Sequence, residues 1–332
     1  MRLSSALTCC GATLAAAQYN DPVVNLGYAQ YRGIPNSTYG VTSFFGIRYA
    51  APPTGLLRWQ PPQSIESHNN YDPTTVIDAT QQGPICVQTT PYWNITNTSS
   101  IPVNAGSEDC LLLDILVPAQ PAQHSRLPTM VQLHGGGYAA GSSETYPGYA
   151  LVNQSQGNLI YVSIQYRLGA FGFLAGAEIR DNGVANAGLL DQRAALNWVQ
   201  RNIRSFGGDP TKVTIIGGSA GGGSVLNQMI LYGGENNPPF RAAISERPWI
   251  QEYHNNSVLE IQYREVLKAT ACDDLACLRS INTTQLNTGQ QNALVNAYLE
   301  RPQLYGFGDY WYGPTVDGEY VGITSRSLAG FS

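Results

Sequence analysis

Charge is scarce in this sequence. Of 332 residues, 18 are Lys or Arg and 23 are Asp or Glu, so 12% are charged, about half the usual share of a soluble protein. Asn, Gln, Ser, Thr and Tyr must cover the surface instead. The net charge is −5 and no basic run occurs, which excludes nucleic acid and anionic membrane as partners held by electrostatics. Long apolar runs are also scarce. One N-terminal segment is apolar but too short to cross a bilayer. Nothing after it reaches that length or forms an apolar lipid-anchor tail, so no stable membrane anchor is expected. Histidine occurs only at His68, His124, His134 and His254, which leaves few groups able to exchange a proton near neutral pH.

The N-terminal segment has its own logic. Met1-Arg2 gives a minimal positive start, residues 3–17 are apolar or small, and Ala15-Ala16-Ala17 forms a small-x-small cleavage pattern. This predicts a secretory signal peptide over 1–17, cut before Gln18, and a single domain over 18–332 in an extracellular, secreted protein. Secretion predicts glycosylation, and Asn-x-Ser/Thr acceptors stand at Asn36, Asn94, Asn97, Asn153, Asn255 and Asn282. It also predicts disulfides. Cys9 and Cys10 leave with the leader; Cys86, Cys110, Cys272 and Cys277 remain, and four cysteines allow three pairings. The local pairing, 86 with 110 and 272 with 277, keeps both loops short. Closing the first would stabilise by roughly 3–4 kcal/mol in the chain-entropy model. The spacings are wrong for zinc, and no motif calls for a cofactor.

The most informative stretch is 213–224, Val-Thr-Ile-Ile-Gly-Gly-Ser-Ala-Gly-Gly-Gly-Ser. A β-branched run ends in glycine, Ser219 sits in a Gly-x-Ser-x-Gly frame, and a helix-forming segment follows. The frame alone is weak, because glycine is abundant here, at 35 residues. In a strand–turn–helix context it predicts a turn so sharp that side chains two before and two after the serine would collide with backbone. The Ser219 hydroxyl is then pushed out at the carboxyl end of a sheet, above a helix N-terminus.

Other strands are expected over 111–117, 130–133, 159–164 and 241–245, mostly as continuous apolar runs of a sheet covered on both faces. A hairpin edge and a rigid proline turn are expected over 44–59, and a long polar loop over 61–106. A helix is expected to start at Asp191 as N-cap and run to about Phe206, with Ala195, Leu196, Val199 and Ile203 on one face. Strand, helix, strand at these lengths means right-handed crossovers. The fold class is therefore α/β, a mainly parallel sheet flanked by helices.

A serine hydroxyl needs a base, a group to orient that base, and donors for an oxyanion. The donors are legible. His134-Gly135-Gly136-Gly137 follows a strand expected beside that of Ser219, so the N–H groups of Gly136 and Gly137, with that of Ala220, can face a reacting carbonyl. The base is not. His68 lies in the polar loop, His124 in a Pro-rich connection, and His134 in the glycine loop, which it would shape. Only His254 follows Ser219, with no acid between them expected at a strand end, so a solvated loop histidine is the reading.

The chain resembles the type-B carboxylesterases, the α/β-hydrolases that include cholinesterases and secreted fungal esterases and lipases. The motifs that carry this are Gly46-Ile47-Arg48-Tyr49-Ala50-x-Pro52-Pro53, Leu57-Arg58-Trp59, Glu108-Asp109-Cys110-Leu111 and His134-Gly135-Gly136-Gly137. They continue with Asn186-x-Gly188-Leu189-Leu190-Asp191-Gln192-Arg193, Phe206-Gly207-Gly208-Asp209-Pro210, Gly217-x-Ser219-Ala220-Gly221-Gly222 and Gly313-Pro314-x-Val316-Asp317-Gly318. The resemblance implies hydrolysis of a carboxylic ester or lipid through an acyl-enzyme on Ser219, with Gly136, Gly137 and Ala220 as the oxyanion hole. It implies both local disulfides and a structural Arg58–Glu108 salt bridge. Two departures stand out. Cholinesterases carry Glu before the nucleophile and this chain has Gly218, which points to a small neutral ester rather than a choline ester. The family's catalytic acid, its histidine and its last sheet strands would come after 332, so the expected fold lacks its C-terminal strands. The alternatives are a non-catalytic binding protein on the same fold and an inactive fragment. Trp93, Tyr138 and Trp249 are pocket residues by position, or packing residues.

Overall fold

The computed structural model describes residues 22–91, 106–120, 126–304 and 311–322. The leader expected over 1–17, and Asn94, Asn97, Trp93 and His124, lie outside the described residues. The strands are β1 (Val23–Asn25), β2 (Gln30–Arg32), β3 (Ile34–Asn36), β4 (Val41–Arg48), β5 (Val76–Asp78), β6 (Leu112–Pro118), β7 (Leu127–Leu133), β8 (Ile160–Ile164), β9 (Gly208–Ser219) and β10 (Ala242–Pro248). The helices are α1 (Tyr149–Gln154), α2 (Gly169–Phe173), α3 (Ala177–Asn182), α4 (Ala187–Asn202), α5 (Ala220–Ile230), α6 (Asn256–Thr270), α7 (Leu275–Ser280) and α8 (Thr283–Glu300).

A seven-stranded sheet runs in the order β10-β9-β7-β8-β6-β4-β3, and β1-β2-β5 form a small separate sheet. β10, β9, β7 and β8 pair in parallel, while β8–β6, β6–β4 and β4–β3 are antiparallel. Five of the seven strands, β4 included, therefore point the same way. β6 and β8 are buried almost throughout, as continuous apolar runs covered on both faces must be. The core joins Leu113, Ile115, Val131, Leu133, Val162, Ile164, Val213 and Ile215 of the sheet to Ala195, Leu196, Trp198 and Val199 of α4. β10 differs from its expected burial: only Ser245 is half-buried and its other residues are exposed, because β9 is its sole partner among the described strands.

Two local readings change. α4 starts at Ala187, and Asp191 lies inside it rather than at its cap. The carboxylate is not spent on helix N–H groups; it accepts from Arg167 Nε at 2.8 Å and Nη2 at 2.7 Å, and both side chains are buried. An N-cap signal and a buried ion-pair partner are the same residue type, and here the long-range partner decides. The strand expected from Val213 starts earlier, at Gly208, and takes in Asp209-Pro210 as an irregularity. Asp209 Oδ1 accepts from Thr211 N and Oγ1 there, and the register with β7 shifts.

Cys86 is bridged to Cys110 and Cys272 to Cys277, the local pairing. Arg58 and Glu108 form a bidentate buried pair, both bonds 2.7 Å, and Thr283 Oγ1 donates to the same carboxylate at 2.6 Å. Among the acceptor asparagines, Asn255 and Asn282 are exposed and use Oδ1 to cap α6 and α8. Exposed Asn153 instead donates its amide nitrogen to Tyr39 O, and half-buried Asn36 accepts from Tyr39 N.

Candidate active site

Three strand ends meet at one edge of the sheet. Leu133 of β7 is level with Gly217 of β9, which is level with Ser245 of β10. The segments that leave these strands, from His134, Ser219 and Pro248, therefore emerge side by side at the carboxyl ends of parallel strands, where ligands of open α/β sheets bind.

Ser219 is the last residue of β9 and precedes the first residue of α5. Its φ is 56° and ψ −127°, and its side chain makes no capping bond to α5. A left-handed φ at a non-glycine residue is strained and persists only where the surroundings impose it. They do so by close approach. A Cβ on Gly217 would stand 2.3 Å from Gly221 O, and one on Gly221 would stand 2.2 Å from Leu133 O. Both framing glycines are thus required, and the serine between them is exposed. The N–H of Ala220 lies in the first turn of α5, where amide groups have no intrahelical acceptor.

The glycine loop lies against this turn. A Cβ on Gly135 would come 2.6 Å from Gly218 O and 3.3 Å from Ser219 Cβ. Gly136 (φ 111°) and Gly137 (φ 63°) hold left-handed backbone, and the carbonyl of Gly136 accepts from the N–H groups of Ala139 and Ala140 at 3.0 Å. The loop is thereby closed on itself, with Gly136 exposed and Gly137 buried. His134 shapes it. The ring is buried, Nδ1 donates to Gly135 O at 2.9 Å, and the ring stacks on Tyr166 at 4.3 Å. Tyr166 Oη donates to His134 O at 2.6 Å. Burial lowers the imidazole pKa to about 4, so it is neutral at pH 7 and serves as scaffold.

The other histidines are not brought to Ser219 by any described contact. His68 is at the surface, against Ser67 Oγ and Ser64 O. His254 is half-buried and faces the Gln251 amide at 3.4 Å. The acid side needs correction. Glu246 does lie between Ser219 and His254 at the end of a strand, paired in register with Gly218. Sequence reasoning missed it because β10 was expected to stop at 245; counting the parallel register on from Ile244–Ile216 finds it. Trp249 was proposed for its ring, but its backbone matters here too, since its N–H donates to Ser219 O at 2.9 Å. Tyr138 is fully buried at φ 57°, its ring 5.1 Å from Phe173 and 6.0 Å from Trp249, behind the glycine loop. Among the described residues no group of His, Cys, Asp and Glu could hold a metal ion.

A family model described as the carboxylesterase family matches residues 20–327. The chain belongs to the carboxylesterase family. Relatives include carboxylesterase patB of Aspergillus clavatus, 34% identical over 95% of this chain and 62% of its own length. Another is the secreted triacylglycerol lipase LIP1 of Gibberella zeae, 38% identical over 86% of this chain and 55% of its own length. Among solved structures, Aspergillus niger EstA superposes with a TM-score of 0.71 at 38% identity, covering 81% of this chain and 50% of EstA. A thermophilic pNB esterase gives 0.75 at 29% identity, covering 90% and 58%. This carboxylesterase chain therefore has the α/β-hydrolase fold and spans 50–62% of the lengths of these four proteins.

Proposed function

We propose that the chain carries the nucleophile and oxyanion half of a secreted serine ester hydrolase. Ser219 Oγ attacks the carbonyl carbon of a carboxylic ester, the C–O bond to the alcohol breaks, and the alcohol leaves with a proton. Water then releases the acid from the acyl-serine. The N–H groups of Gly136, Gly137 and Ala220 receive the oxyanion; one such donor is worth about 3 kcal/mol of transition-state stabilisation. The observation that carries this reading is the strained Ser219 at the β9–α5 junction, exposed and packed against the glycine loop. The base and the acid that orients it are assigned to no residue of this sequence. His134 is committed to the loop, and the chain spans 62% and 55% of the two named relatives. Secretion is supported by the two disulfides, by exposed Asn255 and Asn282, and by the name of the Gibberella zeae lipase. No described helix is long and apolar enough to cross a membrane.

The test is hydrolysis of p-nitrophenyl butyrate by the secreted protein. Ser219→Ala is expected to lower kcat by about 10^4-fold or more, and a fluorophosphonate probe to label Ser219 in the unaltered protein. Retained activity in the alanine variant, or labelling at another residue, overturns the reading.

A further inference from the structure

Gly218 lacks the side chain that would line the site next to Ser219, and β10 fills its place. Glu246 is level with Gly218 in the parallel ladder. Measured from where a Cβ on Gly218 would stand, Glu246 Cβ and Oε2 are both 3.9 Å away. The glutamate side chain therefore lies along the bare face of Gly218, one residue from the nucleophile. The register shifts between Glu246 and Pro248, and the bulged residue, Arg247, has a φ of 41°. Bulges of this kind end pairing and re-aim side chains beside sites. Past it, the Trp249 N–H bond to Ser219 O ties the segment to the elbow. Glu246 is exposed, and among the described residues no basic side chain lies within 4.0 Å of it. Arg247, next in the chain, makes no ion pair with it, and a carboxylate at that place acts on whatever charge a bound ester brings.

We propose that Glu246 is a specificity-determining residue, giving the site a preference for esters that carry a positive charge over uncharged esters of the same shape. This rests on the ester-hydrolase reading of Ser219 and reverses the charge preference drawn from Gly218 alone. The Glu246 carboxylate is exposed to solvent, so the effect is a several-fold one that salt reduces.

The experiment compares kcat/KM for acetylcholine and for 3,3-dimethylbutyl acetate, its uncharged isostere, on the secreted protein. The cation-to-neutral ratio is expected to fall about three- to thirtyfold in Glu246→Gln, to be kept in Glu246→Asp, and to shrink with added salt in the unaltered protein. A ratio, unlike a rate, is unmoved by partial misfolding. Hydrolysis of the neutral ester with the same ratio in unaltered protein and Glu246→Gln overturns this proposal and leaves the hydrolase reading standing. Failure to hydrolyse either ester, with no fluorophosphonate labelling of Ser219, overturns both.

Discussion

At the scale of single residues, buried charge is where this sparsely charged chain takes its largest risks. Asp114 of β6 is nearly fully buried and accepts from Gly46 N at 2.9 Å. Burial raises its pKa from 3.8 to about 6, partly offset by hydrogen bonds from Ser143, Gly46 and Gln82. The folded state therefore holds this proton more tightly than the unfolded chain does. Its contribution to stability is complete below pH 3.8 and is lost as pH rises through about 6. Asp114→Asn keeps an acceptor for Gly46 and removes the titration. The variant is expected to match the unaltered protein near pH 4 and to exceed it by on the order of 3 kcal/mol at pH 7.5. Urea midpoints at both pH values check this; an equal difference at the two would remove the titration as its cause. Local geometry set by close neighbours in the chain was legible from sequence, as in the sharp turn at Ser219 within its glycine frame and the loop that follows His134. Placements set across space were not. Asp191 reads as a helix cap and is a buried partner of Arg167, and Glu246 falls just past the expected strand end at 245 and lies beside Gly218.

At the scale of elements, α5 is held down by what its first turn lacks. A Cβ on Gly223 would stand 2.2 Å from Trp249 O and 2.9 Å from Tyr138 Oη. Alanine gains about 1 kcal/mol of helix propensity over glycine. The collision is with backbone, and overpacking of that kind costs about 1–3 kcal/mol or more, so the clash wins. Gly223→Ala is expected to destabilise by about 2 kcal/mol, whereas Gly218→Ala, which meets nothing closer than 3.7 Å, is expected to stay within about 0.5 kcal/mol. Guanidinium midpoints of the two variants separate these cases, and equal losses would refute the packing argument. The strands that are buried almost throughout, β6 and β8, could be read from sequence because burial on both faces leaves no regular polar alternation. The bounds of β9 and β10 could not. β9 absorbs Asp209-Pro210 as an irregularity, and β10 runs on through Glu246 and Arg247, residues that carry no strand signal of their own.

At the scale of the whole molecule, strand order is the property least visible in a sequence. The parallel part, β10-β9-β7-β8, follows from crossover connections, but nothing local says that β4 pairs with β6 or that β10 stands at the rim. That rim has consequences. Outward of β9, β10 has no strand partner among the described residues, with Ile244 41% exposed; α5, packed against it, leaves Met229 50% and Ile230 41% exposed. Parallel strands are normally covered, and an apolar open edge recruits another edge. The net charge of −5 opposes close approach only weakly, because Arg241 and Arg247 flank the edge and local repulsion is small. A polypeptide of this sequence, produced by itself, is therefore expected to self-associate with rising concentration. Ile244→Lys should raise its monomer fraction, since a lysine on an exposed edge strand is a standard block to pairing. Light scattering behind a sizing column, run over a range of loading concentrations, reads both. A chain that stays monomeric throughout, with the lysine variant indistinguishable from it, would mean that the edge of β10 is not available for pairing.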